Sequence, residues 1–156
     1  KRISPINVFV GAIPGALPPL IGWVAATGVI SVEAWILFGI QFIWQFPHFW
    51  AIAWLLHEDY NKAGFRLLPT AAAPDKRTSF QILFYTICLI PVSLSPWWFG
   101  FAGGWAFAVC LISGLAFLWP AIQLYRNGES SWARKLMFAS FVYLPVVQLV
   151  YLFDKI

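Results

Sequence analysis

Charge is what this sequence lacks most. Only 10% of its 156 residues are Asp, Glu, Lys or Arg, against about 25% in ordinary soluble domains. Hydrophobic residues make up 61%, and the mean hydropathy is +0.76. Such a composition excludes a soluble globular domain and points to an integral membrane protein. Cysteine is also scarce: Cys88 and Cys110 both fall inside apolar runs, at neither zinc-type nor redox-motif spacing, and read as small buried hydrophobes. No signal peptide is visible, because the first residues lack a short apolar core followed by a small-residue cleavage site. An initiating Met is missing too, and Lys1-Arg2 leads directly into a long apolar run, so the chain is expected to be the later part of something longer. No repeat of fixed period and no low-complexity tract is present.

What is there is apolar sequence in long blocks. Charged residues are absent from Ile3 to Val32, from Ala34 to His57, from Thr78 to Tyr125 and from Leu136 to Phe153. Each gap has room for the roughly 20 apolar residues that cross hydrocarbon as a helix. The expected fold is all-α, a polytopic bundle with spans over 7–29, 33–56, 80–98, 104–125 and 136–153. The first span carries Pro14, Pro18, Pro19, Gly11, Gly15 and Gly22. It is expected to be a kinked helix inside the bundle, where neighbours satisfy the carbonyls that proline frees and small residues allow close approach.

The net charge of +4 and the pI near 9.3 are properties of the loops. The basic residues stand singly or in pairs beside apolar segments, so orientation in an anionic membrane explains them and no nucleic-acid partner is expected. Five alternating spans put Lys1, Arg2, Lys62, Arg66, Lys76, Arg77, Arg126, Arg134 and Lys135 on one side and leave Lys155 alone on the other. That asymmetry makes the loop over 57–79 cytoplasmic.

Chemistry concentrates between Trp44 and Pro69. Gln41, Gln45 and His48 recur at spacings of four and three, so they share one face of the second span. A polar stripe in hydrocarbon is costly unless it faces a partner or a wet cavity, which makes it a functional pointer. His48 either bonds a neighbouring helix or approaches a planar, metal-bearing or polar substrate. Asp59 and Glu58 follow at the mouth of the span, roughly 16 Å beyond His48 along a straight helix. Adjacent carboxylates suit Mg²⁺ bound together with substrate phosphates, and Lys62 and Arg66 close behind suit phosphate oxygens. The charged loop is equally readable as simply solvated. Tyr60, Trp50 and Trp54 supply aromatic walls or ordinary interfacial belt residues.

Several stretches together carry a resemblance: Lys1-Arg2; Pro5-x-Asn7; Gly15-Ala16-Leu17-Pro18-Pro19-Leu20-Ile21-Gly22-Trp23; Pro47-His48-Phe49-Trp50; and Asp59-Tyr60-x-x-Ala63-Gly64-x-x-Leu67-Leu68-Pro69. The chain resembles the protohaem IX farnesyltransferases (haem O synthases) of the UbiA-type intramembrane prenyltransferase superfamily over essentially its whole length. The resemblance implies a nine-span fold, of which residues 1–156 are the C-terminal half of a single prenyltransferase domain. It implies Mg²⁺-dependent transfer of a farnesyl group from farnesyl diphosphate to a vinyl group of haem B, giving haem O for terminal oxidase assembly. Haem B is then a substrate rather than a cofactor, and membrane lipid, haem A synthase and oxidase assembly proteins are the expected partners. The implied location is a bacterial plasma membrane, with the second acidic loop cytoplasmic.

Carried onto this sequence, the resemblance makes Asp59 and His48 catalytic and Asp59 and Glu58 metal-binding, with Asn7, Arg2, Tyr60, Lys62, Arg66 and His48 on substrate. Lys62 and Arg66 match no fixed family position, so their role rests on charge and proximity. The family's Met-Leu-Pro-Val ending is here Leu67-Leu68-Pro69-Thr70. Its Asn/Asp-rich first acidic loop belongs upstream of Lys1, so the 156-residue chain alone is expected to be inactive. Two other readings stand beside this one. The first is a quinone or chlorophyll-precursor prenyltransferase, whose second loop is usually richer in Asp than 57–62. The second is a non-enzymatic membrane subunit or transporter fragment with His48 and Asp59 on a proton or ion path.

Overall fold

The computed structural model describes residues 6–64, 67–69 and 73–156, without the side chains of residues 6 and 7. It is all-helical, in the order α1 (Ile6–Thr27), α2 (Val32–Leu55), α3 (His57–Lys62), α4 (Lys76–Trp98), α5 (Gly104–Asn127) and α6 (Ser130–Phe153). All but α3 are long and apolar enough to cross a membrane, about 33–36 Å at the helical rise of 1.5 Å per residue.

Two of the expected spans begin earlier than the charge gaps suggest. Helix α4 starts at Lys76, where Asp75 accepts the Thr78 N–H at 2.7 Å as an N-cap. Helix α6 starts at Ser130, so Arg134 and Lys135 lie within it. The two lysines remain compatible with a membrane helix because their ammonium groups reach aromatic faces at its end. Lys76 Nζ lies 4.3 Å from the Tyr125 ring centre, and Lys135 Nζ lies 3.9 Å from that of Trp132.

Helix α2 is the hub. Helices α2, α4, α5 and α6 close a ring in which each packs on the next and α6 returns to α2, while α1, among the described residues, packs mainly on α2. Half of the most apolar window of α2 is buried, against 22% for α1 and for α6. The first span is an uninterrupted helix at the edge of this five-span bundle. Its Ala12 and Ala16 are fully buried against the hub, while Val10, Ile13 and Ile21 face outward. Aromatic bulk fills the ring: Trp44, Phe46, Trp50 and Trp54 from α2 join Ile82 and Leu89 of α4, Phe117 of α5 and Tyr143 of α6. Close approach needs small residues, and Gly114 of α5 lies so near Ile90 that a Cβ would sit 3.0 Å from its Cγ1. Outward faces remain apolar, as with Phe84, Ile112, Trp119 and Leu152, which suits hydrocarbon as the surroundings.

The helix turns are tight. Gly128, at φ 69°, takes the left-handed conformation that ends α5, and its N–H bonds the Leu124 carbonyl at 2.9 Å. Proline within α4 is compensated locally: Pro96 cannot donate to the Val92 carbonyl, and the Ser95 hydroxyl takes it at 2.7 Å. At the end of the bundle away from α3, the last residues tie several elements together. Lys155 lies over the Trp23 ring at 4.3 Å, and Trp23 Nε1 donates to Ser31 Oγ at 3.0 Å. Gly103 and Ile156 donate backbone N–H groups to the Asp154 and Phe101 carbonyls.

Asp154 also supplies the cap that Gly103 has no side chain to make. Its Oδ2 accepts the Ala106 N–H at 2.7 Å, in the first turn of α5. A Cβ on Gly103 would fall 2.7 Å from the carboxylate oxygens. Gly103→Ala should therefore cost about 1 kcal/mol, the usual loss of an N-cap, and Asp154→Ala a similar amount. The double variant should lose no more than either single one in denaturant unfolding in detergent micelles. Additive losses would show that the glycine and the carboxylate act separately.

Candidate functional site

The polar stripe on α2 divides between two neighbours. Gln45, 3% exposed, turns to α1: its Nε2 donates to the Ala12 carbonyl at 3.1 Å and to the Gln41 carbonyl at 3.2 Å. Its Oε1 lies against Gly15, where any Cβ would collide with it. Gln41 turns to α6 and accepts from Gln148 Nε2 at 3.2 Å. His48, 6% exposed, also turns to α6, with Nδ1 2.7 Å from Ser140 Oγ. The pairs 41 with 148 and 48 with 140 run in opposite order, as antiparallel helices require.

The His48 ring is held on several sides. Trp44, one turn earlier, stacks on it at 4.5 Å and 13°, and Phe141 meets it edge-on at 4.9 Å. Trp44 Nε1 donates to the Ser140 carbonyl at 2.9 Å, so the same turn of α6 anchors both the imidazole and the indole stacked on it. Trp50 and Trp54, expected as walls, are core residues. The Trp50 indole N–H is buried with no acceptor among the described residues, although Trp50 packs against Phe46 and Tyr85.

The second polar zone is α3. The chain leaves α2 at Leu56, where φ −108° and ψ 20° break the helix, and restarts at His57. A straight-helix distance from His48 to Asp59 therefore does not carry across the break. No residue of α3 is buried. Glu58 and Asp59 stand in its first turn, where carboxylates suit the helix dipole. Consecutive helical positions diverge by about 100°, so the two carboxylates point apart. Asp59 pairs instead with Lys62 at 3.9 Å, both about three-quarters exposed, which makes the bond weak and exchangeable. Tyr60 is half-buried. Among the described residues, no group of three or more His, Cys, Asp or Glu converges as a metal site. Arg2, Arg66 and the side chain of Asn7 lie outside the described residues.

Described Lys62, Lys76, Arg77, Arg126, Arg134 and Lys135 fall at the α3 end of the bundle, and Lys155 falls at the other. A groove of about 530 Å³ between α2 and α4 is lined by Trp35, Gly39, Pro91, Val92 and Trp98 and includes no residue of either polar zone. It begins about 13 Å before His48 along α2.

Residues 1–142 match the UbiA prenyltransferase family. The chain is 49% identical to the protoheme IX farnesyltransferase of Cytophaga hutchinsonii over 156 residues, covering 100% of this chain and 54% of the relative. It is 48% identical to that of Christiangramia forsetii and 46% identical to that of Flavobacterium psychrophilum, covering 99% of this chain and 53% of each relative. The chain thus spans about half the length of these relatives, matching their C-terminal part. No solved structure matches it.

The Gln45 contact makes the α1–α2 interface testable. Gln45→Leu should lower stability by about 1 kcal/mol, in the range of interhelical hydrogen bonds within membranes. Gly15→Ala should lower it at least as much, by driving the amide from its place. The two losses should be strongly non-additive in detergent unfolding, because both act on the same contact. Independent losses would place the cost of Gly15→Ala elsewhere.

Proposed function

Because the chain belongs to the UbiA prenyltransferase family, we propose that it is part of a protohaem IX farnesyltransferase, which transfers the farnesyl group of farnesyl diphosphate to a vinyl group of haem B. The observation that carries this reading is the order of groups from α2 into α3. An imidazole lies buried within an apolar bundle, and carboxylates with a lysine stand exposed at the adjoining mouth. This suits an amphiphilic reaction in which a diphosphate stays at the polar surface while its isoprenoid chain and a porphyrin meet inside. The excess of basic residues at the α3 end supports a cytoplasmic mouth in a bacterial plasma membrane.

Asp59, with Glu58 beside it, is the residue that would hold Mg²⁺. Its exposed carboxylate and exchangeable lysine partner suit a metal that takes one or two carboxylates and fills its other positions with phosphates and water. Bound there with the diphosphate, Mg²⁺ supplies neutralisation of the leaving group. Lys62 adds a cation for the diphosphate oxygens. The C–O bond of farnesyl diphosphate breaks with the electron pair leaving on diphosphate. The bundle shields the allylic cation from water, and the terminal vinyl carbon of haem B adds to it. Water then adds to the cation left beside the pyrrole and loses a proton, giving the hydroxyethylfarnesyl group of haem O. His48 holds the acceptor side. Tyr60, Arg2, Asn7 and Arg66 are proposed to complete the substrate contacts, and haem A synthase or oxidase assembly proteins to receive the product.

In the full-length enzyme, Asp59→Asn should lower haem O formation at least 100-fold, consistent with loss of a major electrostatic contribution, while membrane insertion is unchanged. Turnover at the wild-type rate would remove Asp59 from the site. His48→Ala should raise the KM for haem more than that for farnesyl diphosphate; equal effects would make His48 structural. The purified 156-residue chain should form no haem O, and detectable transfer would show that this half holds a sufficient site.

A further inference from the structure

We infer that Ser140 is a positioning residue for His48: it fixes the ring as the Nδ1–H tautomer, so that the Nε2 lone pair is offered to the iron of the haem substrate. This rests on the proposed reading in which His48 faces the haem.

The argument starts from a single hydrogen. The Ser140 hydroxyl lies 2.6 Å from the Met137 carbonyl oxygen and 2.7 Å from His48 Nδ1. A carbonyl only accepts, and two oxygens 2.6 Å apart repel unless a proton lies between them. The one hydroxyl hydrogen is therefore directed at Met137, which leaves Oγ to accept at its other contact. Nδ1 must then be the donor. A histidine deep among apolar helices is favoured in its neutral form, since an unpaired charge in hydrocarbon is costly. Neutral imidazole has one N–H, so with Nδ1 protonated the lone pair lies on Nε2, a common ligand atom for iron.

The rest of the surroundings hold the ring in that pose. Trp44 stacks on its face at 4.5 Å and is itself tied to the Ser140 carbonyl at 2.9 Å, while Phe141, the next residue of α6, blocks one edge. One turn of α6 thus sets the tautomer, the plane and the side access of the imidazole. Back-bonding of the serine to Met137 alone would leave no reason for the second contact or for the indole anchored beside it.

The test is spectroscopic titration of the full-length enzyme in detergent with ferric haem B, reading the Soret band and the low-spin signal, alongside titration with iron-free protoporphyrin IX. Ser140→Ala should weaken haem binding about 10- to 100-fold, the usual effect of removing the partner that orients a metal-ligating histidine. It should leave affinity for the iron-free porphyrin unchanged. Ser140→Thr, which retains the hydroxyl, should restore haem binding. In a His48→Ala background, Ser140→Ala should have no further effect. If Ser140→Ala does not fold, Ser140→Cys, with a similar shape and a weaker acceptor, is read in the same way. Equal weakening of both porphyrins, or unchanged haem binding in Ser140→Ala while His48→Ala is impaired, overturns this inference and leaves the haem-facing His48 standing. Unchanged haem binding in His48→Ala overturns both.

Discussion

Polar groups inside hydrocarbon must find their partners within the protein, because leaving one unsatisfied costs several kcal/mol. Helix α2 carries three such side chains, Gln41, Gln45 and His48, and their partners determine what packs around it. Gln45 requires the backbone of α1 at Ala12 and the bare backbone at Gly15. Gln41 and His48 require Gln148 and Ser140 of α6. The hub position of α2 follows from this division as much as from its aromatic bulk. Van der Waals packing between helices has many near-equivalent registers in lipid, whereas these bonds select one.

The same physics separates the two polar zones by purpose. Within the bundle, the contacts of Gln45 and His48 are buried, that of Gln41 is partly so, and all are directional, so the groups keep one geometry. On α3 the carboxylates and Lys62 are exposed, diverge around a short helix and make one long ion pair. Water screens that pair, and rearranging it costs little. The arrangement is rigid inside the bundle and adaptable on α3, which suits the proposed reaction, with an acceptor oriented within and a diphosphate exchanging at the surface.

The spans were legible in the sequence because charge is absent across each of them. Their starts were less so: Lys76 and Lys135 read as loop residues when each rests on an aromatic ring at its helix end, a partnership that no local pattern reveals. His48, Gln45 and Gln41 stood out because polarity in an apolar run is rare. Their single stripe did not foretell partners on two helices, since spacing fixes a face and not what lies opposite. Ser140 and Trp44 escaped notice as His48 partners. Ser140 is 92 residues away in the chain, and a serine in a membrane helix usually has its own backbone to bond. The adjacency of Glu58 and Asp59 in sequence does not by itself bring their carboxylates together, since consecutive helical positions diverge. The prolines and glycines of α1 showed that close packing was needed but not against what; Gly15 meets that need against Gln45 of α2.

Lys155 resting on Trp23, with Trp23 bonded to Ser31, gives α1 a fixed point at one end of the bundle. From Trp23 to its start at Ile6 the helix extends about 26 Å toward the end that holds α3, packed mainly on α2 along the way. Mechanically it is a lever with its fulcrum on the far side of the membrane. A tilt of about 5° about that fulcrum displaces its other end by roughly 2 Å at that length, less than the width of a water molecule. Lys155 and Ser31, which look like mere trimming, therefore set the point about which any tilt of α1 would turn.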